Sequence, residues 1–287
     1  MKKTIIILLT VLLPVFAWGQ AQINTKKVKL SDFTQKVTKI VLSGNAFVDG
    51  TLKDEVIARW RISPYEFCTV EEFESLKHDE DYYFLINATG QFKKETEPSL
   101  QFLTLVKGGK GAQKGIDDML EVVSFPLASA QFPSGREHIF LPAILDIIQE
   151  YTLESMEKDI NAYGGLANFA EKITSDMDAK IVFAREDINE AAIHMTESHY
   201  LNGYLTVEDE EDADSHMIDN EMNHIVSYVV AASDPKPGTF CYKMLIDTNS
   251  HKLYYYRKHK ISKNAGVGFL ENDIKNIYSA RTPRKEK

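Results

Sequence analysis

The sequence predicts an α/β fold of two similar lobes, each running β-α-β-α-β-β-β-α around a mixed sheet, from an internal duplication. Lys39-Ile40-Val41 recurs as Lys180-Ile181-Val182, and Thr69-Val70-Glu71-Glu72 recurs as Thr206-Val207-Glu208-Asp209, at nearly the same spacing. Short identities carry little weight alone. The same order of elements around both pairs is the stronger sign of a repeated unit.

In the first half, Val37 to Ser43 is apolar and β-branched, which predicts a strand. Leu52, Val56 and Ile57 to Trp60 follow at helical spacing. Tyr65 to Cys68 reads as a short strand, and Thr69 with Glu72 three residues on forms a capping box for the next helix. Phe73 and Leu76 are the apolar face of that helix. Strands are expected at Tyr82–Ile86, Leu100–Val106 and Met119–Phe125, then a helix at Ile139–Tyr151.

The second half repeats the order. Lys180–Ala184 is a strand and Ile188–His199 a helix, with Ala191, Ala192 and Met195 on one side. Gly203–Leu205 is a short strand, and Thr206 is expected to cap the next helix with Asp209 in place of the glutamate. Ile225–Ala231 is a strand, Phe240–Ile246 and Lys252–His259 form a hairpin, and Phe269–Tyr278 closes the lobe as a helix. The early β-α-β units supply parallel strands and the hairpins antiparallel ones. The expected division is a leader at 1–19, a lobe at 20–151, a helical connector at 152–178 containing Gly164-Gly165, and a lobe at 179–287. The alternative is one larger domain whose halves match by chance.

The leader has its own signature. Lys2 and Lys3 precede an apolar run ending near Pro14, and Ala17-Trp18-Gly19 places small residues for a cut before Gln20. Gly19-Gln20-Ala21 offers a second cut, before Gln22. The apolar run is shorter than the roughly 20 residues that a spanning helix needs, and no Cys for a lipid anchor adjoins either cut. These features predict an exported chain, periplasmic or secreted, with no later transmembrane segment. Across 287 residues, 33 Lys and Arg oppose 42 Asp and Glu, for a net charge of −9. Losing Lys2 and Lys3 makes the mature chain more acidic still. That balance argues against nonspecific nucleic-acid binding, and the 44% hydrophobic content supports an ordinary core.

Several segments suggest sites and fail on spacing. Lys107 to Gly115 is rich in Gly and Lys, but Gly115 stands where a phosphate loop needs Ser or Thr, so a mobile hairpin tip is expected. Glu208 to Glu221 is acidic without the Gly turn of a calcium loop, and reads as a solvated helix start. His194 and His199 lie five apart, which turns their rings away from each other on a helix. His216 and His224 are expected at opposite ends of one helix. Ser134-Gly135 reads as a loop, with no nucleophile elbow anywhere. Cys68 and Cys241 sit in apolar, strand-like runs and read as buried thiols, a disulfide being the alternative that export permits. In Leu253-Tyr254-Tyr255-Tyr256-Arg257-Lys258, strict alternation places Leu253, Tyr255 and Arg257 on one face and Tyr254, Tyr256 and Lys258 on the other. No catalytic residue, cofactor or metal ligand set is therefore assigned.

The Gly-Gln leader end, Ser63-Pro64-Tyr65-Glu66-Phe67, Asp81-Tyr82-Tyr83-Phe84 and the Tyr-rich strand together resemble uncharacterised exported proteins of Bacteroidetes-type Gram-negative bacteria, over most of the mature chain. The resemblance implies an envelope location and no particular activity. The element order is also similar to that of small periplasmic α/β modules used in envelope assembly, as an analogy of fold alone. The expected function is an exported binding or envelope-interaction module, with a protein or small-molecule ligand in the cleft between lobes. The alternative is a hydrolase-type enzyme with a site of dispersed residues in that cleft.

Overall fold

A computed structural model describes residues 26–92, 95, 97–197 and 203–282. The predicted leader, both predicted cleavage sites and His199 lie outside the described residues.

The first lobe opens with a short helix, α1 (Lys26–Leu30), and strand β1 (Val37–Val41). Helix α2 (Ala46–Arg59) starts at Asn45, whose side chain accepts from the Phe47 and Val48 N–H groups. Leu52, Val56 and Trp60 bury one stripe of this segment, while Ile57 stays 55% exposed and outside the expected apolar face. Strand β2 (Tyr65–Cys68) leads into α3 (Val70–Leu76), where the predicted Thr69–Glu72 capping box is formed in both directions. Such a cap contributes about 1 kcal/mol. Strands β3 (Tyr82–Gly90), β4 (Leu100–Lys107) and β5 (Leu120–Ser129) follow, then the long helix α4 (Arg136–Glu157). Two short helices, α5 (Asp159–Gly164) and α6 (Leu166–Phe169), occupy the connector.

The second lobe runs β6 (Lys180–Ala184), α7 (Glu190–Met195), β7 (Leu205–Glu208), α8 (Glu210–Ile218), β8 (His224–Val230), β9 (Phe240–Asp247), β10 (Leu253–Lys260) and α9 (Glu271–Arg281). Both sheets have five strands in one shared order. The first is β2-β1-β3-β4-β5, and the second, read in the same sense, is β7-β6-β8-β9-β10. The first three strands of each sheet are parallel and the last two antiparallel to their neighbours. Two lobes of matching topology are consistent with a duplication.

Three sequence expectations are corrected. Thr206 is not a cap: it lies within β7, opposite Val182, and Asp209 stands at the cap position of α8. Sheet pairing fixes the register of that strand and overrides the local Thr-x-x-Asp pattern. The helix expected at Ile188–His199 starts later, at Glu190, because Ile188 bridges to Phe269 and the Asn189 side chain caps α7. In β10 a bulge between Leu253 and Tyr255 breaks the alternation, since an extra residue on one strand shifts every later side chain. Leu253 and Tyr256 thus pack in one core, and Tyr254 and Tyr255 against the other.

The lobes stack head to tail. In the first lobe, α2 and α4 cover the sheet face that enters a core shared by both lobes, and Phe73 of α3 joins a separate outer cluster. In the second lobe, Ala213 and Met217 of α8, the counterpart of α3, enter the shared core. Ile274 and Ile277 of α9, the counterpart of α4, lie in the outer cluster. Opposite faces of the repeated unit therefore meet, a heterologous contact in the sense used for oligomers. Equivalent residues in the two lobes have different surroundings, so sites need not come in pairs.

Candidate functional site

Where the helices stop covering the sheets, the sheets themselves face each other across a cleft of about 770 Å³. The first lobe contributes Thr89 and Gly90 from β3, Phe102 and Thr104 from β4, and Glu121 and Ser124 from β5. The second contributes Tyr242 from β9 and Tyr256, Arg257 and Lys258 from β10, while Tyr151, Tyr163 and Lys26 close one end. The bulge in β10 aims Tyr256 here. Phe102 meets Tyr242 edge-on at 5.7 Å, and Phe125 lies 6.5 Å from Tyr256, so aromatic contacts set the width of the cleft.

The Lys26 ammonium donates to the Val122 and Ala162 carbonyls at 2.9 and 3.1 Å. An ammonium has three donors, and these two bonds account for two of them. Burial lowers the Lys26 pKa, against the opposing pull of Glu121. Burial also pushes the Tyr242 hydroxyl up to about 12 and raises Tyr256, so both stay neutral donors and acceptors at cellular pH. Thr104 and Ser124 share a hydrogen bond of 3.1 Å. Among the described residues lining the cleft there is no His and no Cys. The arrangement offers hydroxyls, aromatic surface, three cations and the Asp117 and Glu121 carboxylates, which suits a polar ligand of mixed character.

The segments singled out by sequence lie elsewhere. The Gly-Lys stretch at 107–115 is pinned, not a free tip: Gly108 N–H donates to Tyr82 and Gly109 N–H to Lys77, each at 2.9 Å. A Cβ on Gly108 would fall 2.1 Å from the Asp79 carbonyl, which explains the glycine. Ser134-Gly135 is the loop before α4, and Gly135 takes φ of 94° there. His194 is exposed on α7. The acidic segment is not uniformly solvated, because Asp214 is buried against Arg136 while Glu208 and Glu221 both bond His216.

His216 and His224 do not share a helix. His216 sits on α8 and His224 opens β8, and their rings stack at 4.4 Å with 8° between planes. An expectation of opposite helix ends misses this proximity. The signal that reveals it is Asn220 and Asn223, turn formers that reverse the chain with φ of 51° and 61°.

Cys68 and Cys241 are free and buried. Cys68 packs with Phe73 on the outer face of the first sheet, and Cys241 accepts from Gly268 N–H at 3.3 Å in the second. Burial pushes each thiol up to about 11. Both are therefore poor nucleophiles. A thiol reagent is expected to label neither in the native protein and both after denaturation. A disulfide-linked peptide in an unreduced tryptic map would contradict this.

No protein-family model matches the chain, and neither a curated protein nor a solved structure matches it.

Proposed function

We propose that the chain is an exported binding protein that holds a polar small molecule in the cleft between its two sheets. The observation that carries this reading is the cleft itself: about 770 Å³, walled by tyrosines, hydroxyls and charged side chains from both lobes. Ligand pockets favour such junctions between packed units. The leader expected at residues 1–19 supplies the export half of the reading. The Thr104 and Ser124 hydroxyls in the lining bond each other, which favours binding over the hydrolase alternative, where a hydroxyl would be bonded to a base.

Thermal-shift screening against oligosaccharides and short peptides released from the cell envelope tests the reading. At least one class should raise the melting temperature of the wild type. Thr89→Trp, at an exposed position on the cleft wall, should fold normally and lose that shift. An equal shift in both proteins, or mass-spectrometric detection of ligand turnover, would refute the cleft-binding reading. N-terminal sequencing of the native protein should begin at Gln20 or Gln22.

A further inference from the structure

A second constellation lies away from the cleft, at the end of the second sheet where α8 hands over to β8. Helix α8 stops at Ile218, and the chain reverses through Asn220 and Asn223. The hairpin between β9 and β10 clamps that reversal. Thr248, fully buried, donates its hydroxyl to the Glu221 and His224 carbonyls and its N–H to the latter at 3.0 Å. Asn249 adds a bond from its side-chain amide to the Asn220 carbonyl at 3.3 Å. The backbone carrying residues 216–224 is thereby fixed before any ligand arrives.

On this frame the two imidazoles stack, and one carboxylate serves both. Glu221 bonds His216 Nδ1 with one oxygen and places the other 3.8 Å from His224 Nδ1. His216 Nε2 lies 2.9 Å from Glu208 on β7, and Lys180 sits 3.5 Å from the second oxygen of Glu208. His216, Glu221 and His224 each offer one ligating atom within 4.8 Å of the others.

We infer that His216, Glu221 and His224 form a site for a divalent transition metal of the zinc class, with Glu208 as the carboxylate that orients His216. Two imidazole nitrogens with one carboxylate oxygen suit zinc-type ions, whereas calcium and magnesium prefer all-oxygen sets. In a tetrahedral site with bonds of about 2.0 Å, ligand atoms stand roughly 3.3 Å apart. His224 Nδ1 donates to the Met222 carbonyl at 3.0 Å, which leaves Nε2 of that ring as the nitrogen free to ligate. A metal-bound His commonly donates its other ring N–H to a carboxylate, which fixes the tautomer. A metal at His216 Nδ1 would take the place of the proton that this nitrogen shares with Glu221, while Nε2–H keeps its bond to Glu208. Three protein ligands leave a fourth position for water or a small ligand. A proton alone would also hold His216 between two glutamates, and the zinc titration separates the two.

The test uses the full mature chain stripped with a chelator. Zn²⁺ alone is titrated by calorimetry, and Co²⁺ by visible absorption. The expected result is one equivalent bound with a Kd near or below about 1 μM, and a cobalt spectrum of four-coordinate intensity. His224→Ala should weaken zinc at least tenfold and Glu208→Gln roughly tenfold, with His194→Ala unchanged as a control. Glu221→Gln, at a half-exposed side chain, provides the same readout should a histidine variant fail to fold. Absence of saturable zinc binding overturns the site. So does binding that survives in the folded His216→Ala/His224→Ala double variant.

Discussion

Replacing Arg136 with alanine is expected to lower stability by about 3–5 kcal/mol, the range for breaking a buried ion pair on one side. Arg136 opens α4 in the first lobe and is 5% exposed. A cation at a helix N-terminus opposes the helix dipole, so its partners must outweigh that placement. They come from the second lobe. Two guanidinium nitrogens donate to Asp214 at 2.8 Å, and a third to Asp187 at 2.8 Å. A further bond reaches the Ser227 carbonyl at 3.1 Å. Phe140 and Tyr228, themselves stacked at 4.3 Å, lie 5.4 and 5.5 Å from the guanidinium. Burial raises the Asp214 pKa, and the bonds from Arg136 only partly offset it. Removing the arginine strands two buried carboxylates. At roughly 2–4 °C per kcal/mol for a chain of this size, the melting temperature should fall by about 6–20 °C. Arg136→Lys should recover little, because an ammonium lacks the planar fork that serves both aspartates. Replacing Arg136, Asp187 and Asp214 together with Met, Asn and Asn should recover most of the loss. Chemical denaturation reads all three. A loss under about 1 kcal/mol for Arg136→Ala would mean that the network does not tie the lobes.

That network also marks the limit of what the chain reveals before it is folded. Strands such as Lys180–Ala184 and the capping box at Thr69 are legible because their signals are local. The repeated element order is legible for the same reason, and it yields the mixed parallel and antiparallel character of both sheets, though not their strand order. Which faces of the lobes meet is not local. Ile40 enters the shared core, while its repeat mate Ile181 enters the outer cluster. No periodicity distinguishes them, because both lie in strands covered on two sides, which read as continuous apolar runs. The partnership of Arg136 with Asp187 and Asp214 depends on that stacking. The sequence places a cleft between the lobes, but its walls depend on the bulge at Tyr254, where three consecutive tyrosines hide a change of face. The His216–His224 pair is hidden for a simpler reason: an acidic run reads as one continuing helix unless Asn220 and Asn223 are weighed as a stop.

Asp273 supplies the second large effect, and a pH signature with it. It lies on α9, 5% exposed, and its carboxylate accepts from Leu270 N–H at 2.9 Å, from the Tyr255 hydroxyl at 2.7 Å, and from Lys243, itself 2% exposed. Burial alone would raise its pKa. The bonds from Lys243 and Tyr255 outweigh burial and hold it below the usual aspartate value. Asp273→Ala leaves the Lys243 ammonium buried without its partner, and should cost about 3–5 kcal/mol at neutral pH. Asp273→Asn keeps the shape and removes the charge, which isolates the electrostatic part. A carboxyl whose folded pKa is depressed contributes stability that is complete above its unfolded pKa. That stability is lost as pH falls through the folded value, because the unfolded chain takes up the proton first. The stability gap between wild type and Asp273→Asn should therefore be widest near pH 7 and shrink steadily as acid protonates the wild-type carboxyl. Denaturant titrations at neutral pH and near pH 3 measure it. A gap of equal size at both would show that ionisation of Asp273 is not what holds α9 on the sheet. The same logic separates the two buried pairs. Asp214 has its pKa raised, so it takes up its proton at a higher pH in the folded state than in the unfolded chain. Acid then neutralises Asp214 early, while Asp273 resists. Acid therefore adds stability through Asp214 and removes it through Asp273, so the two buried pairs respond to falling pH with opposite sign.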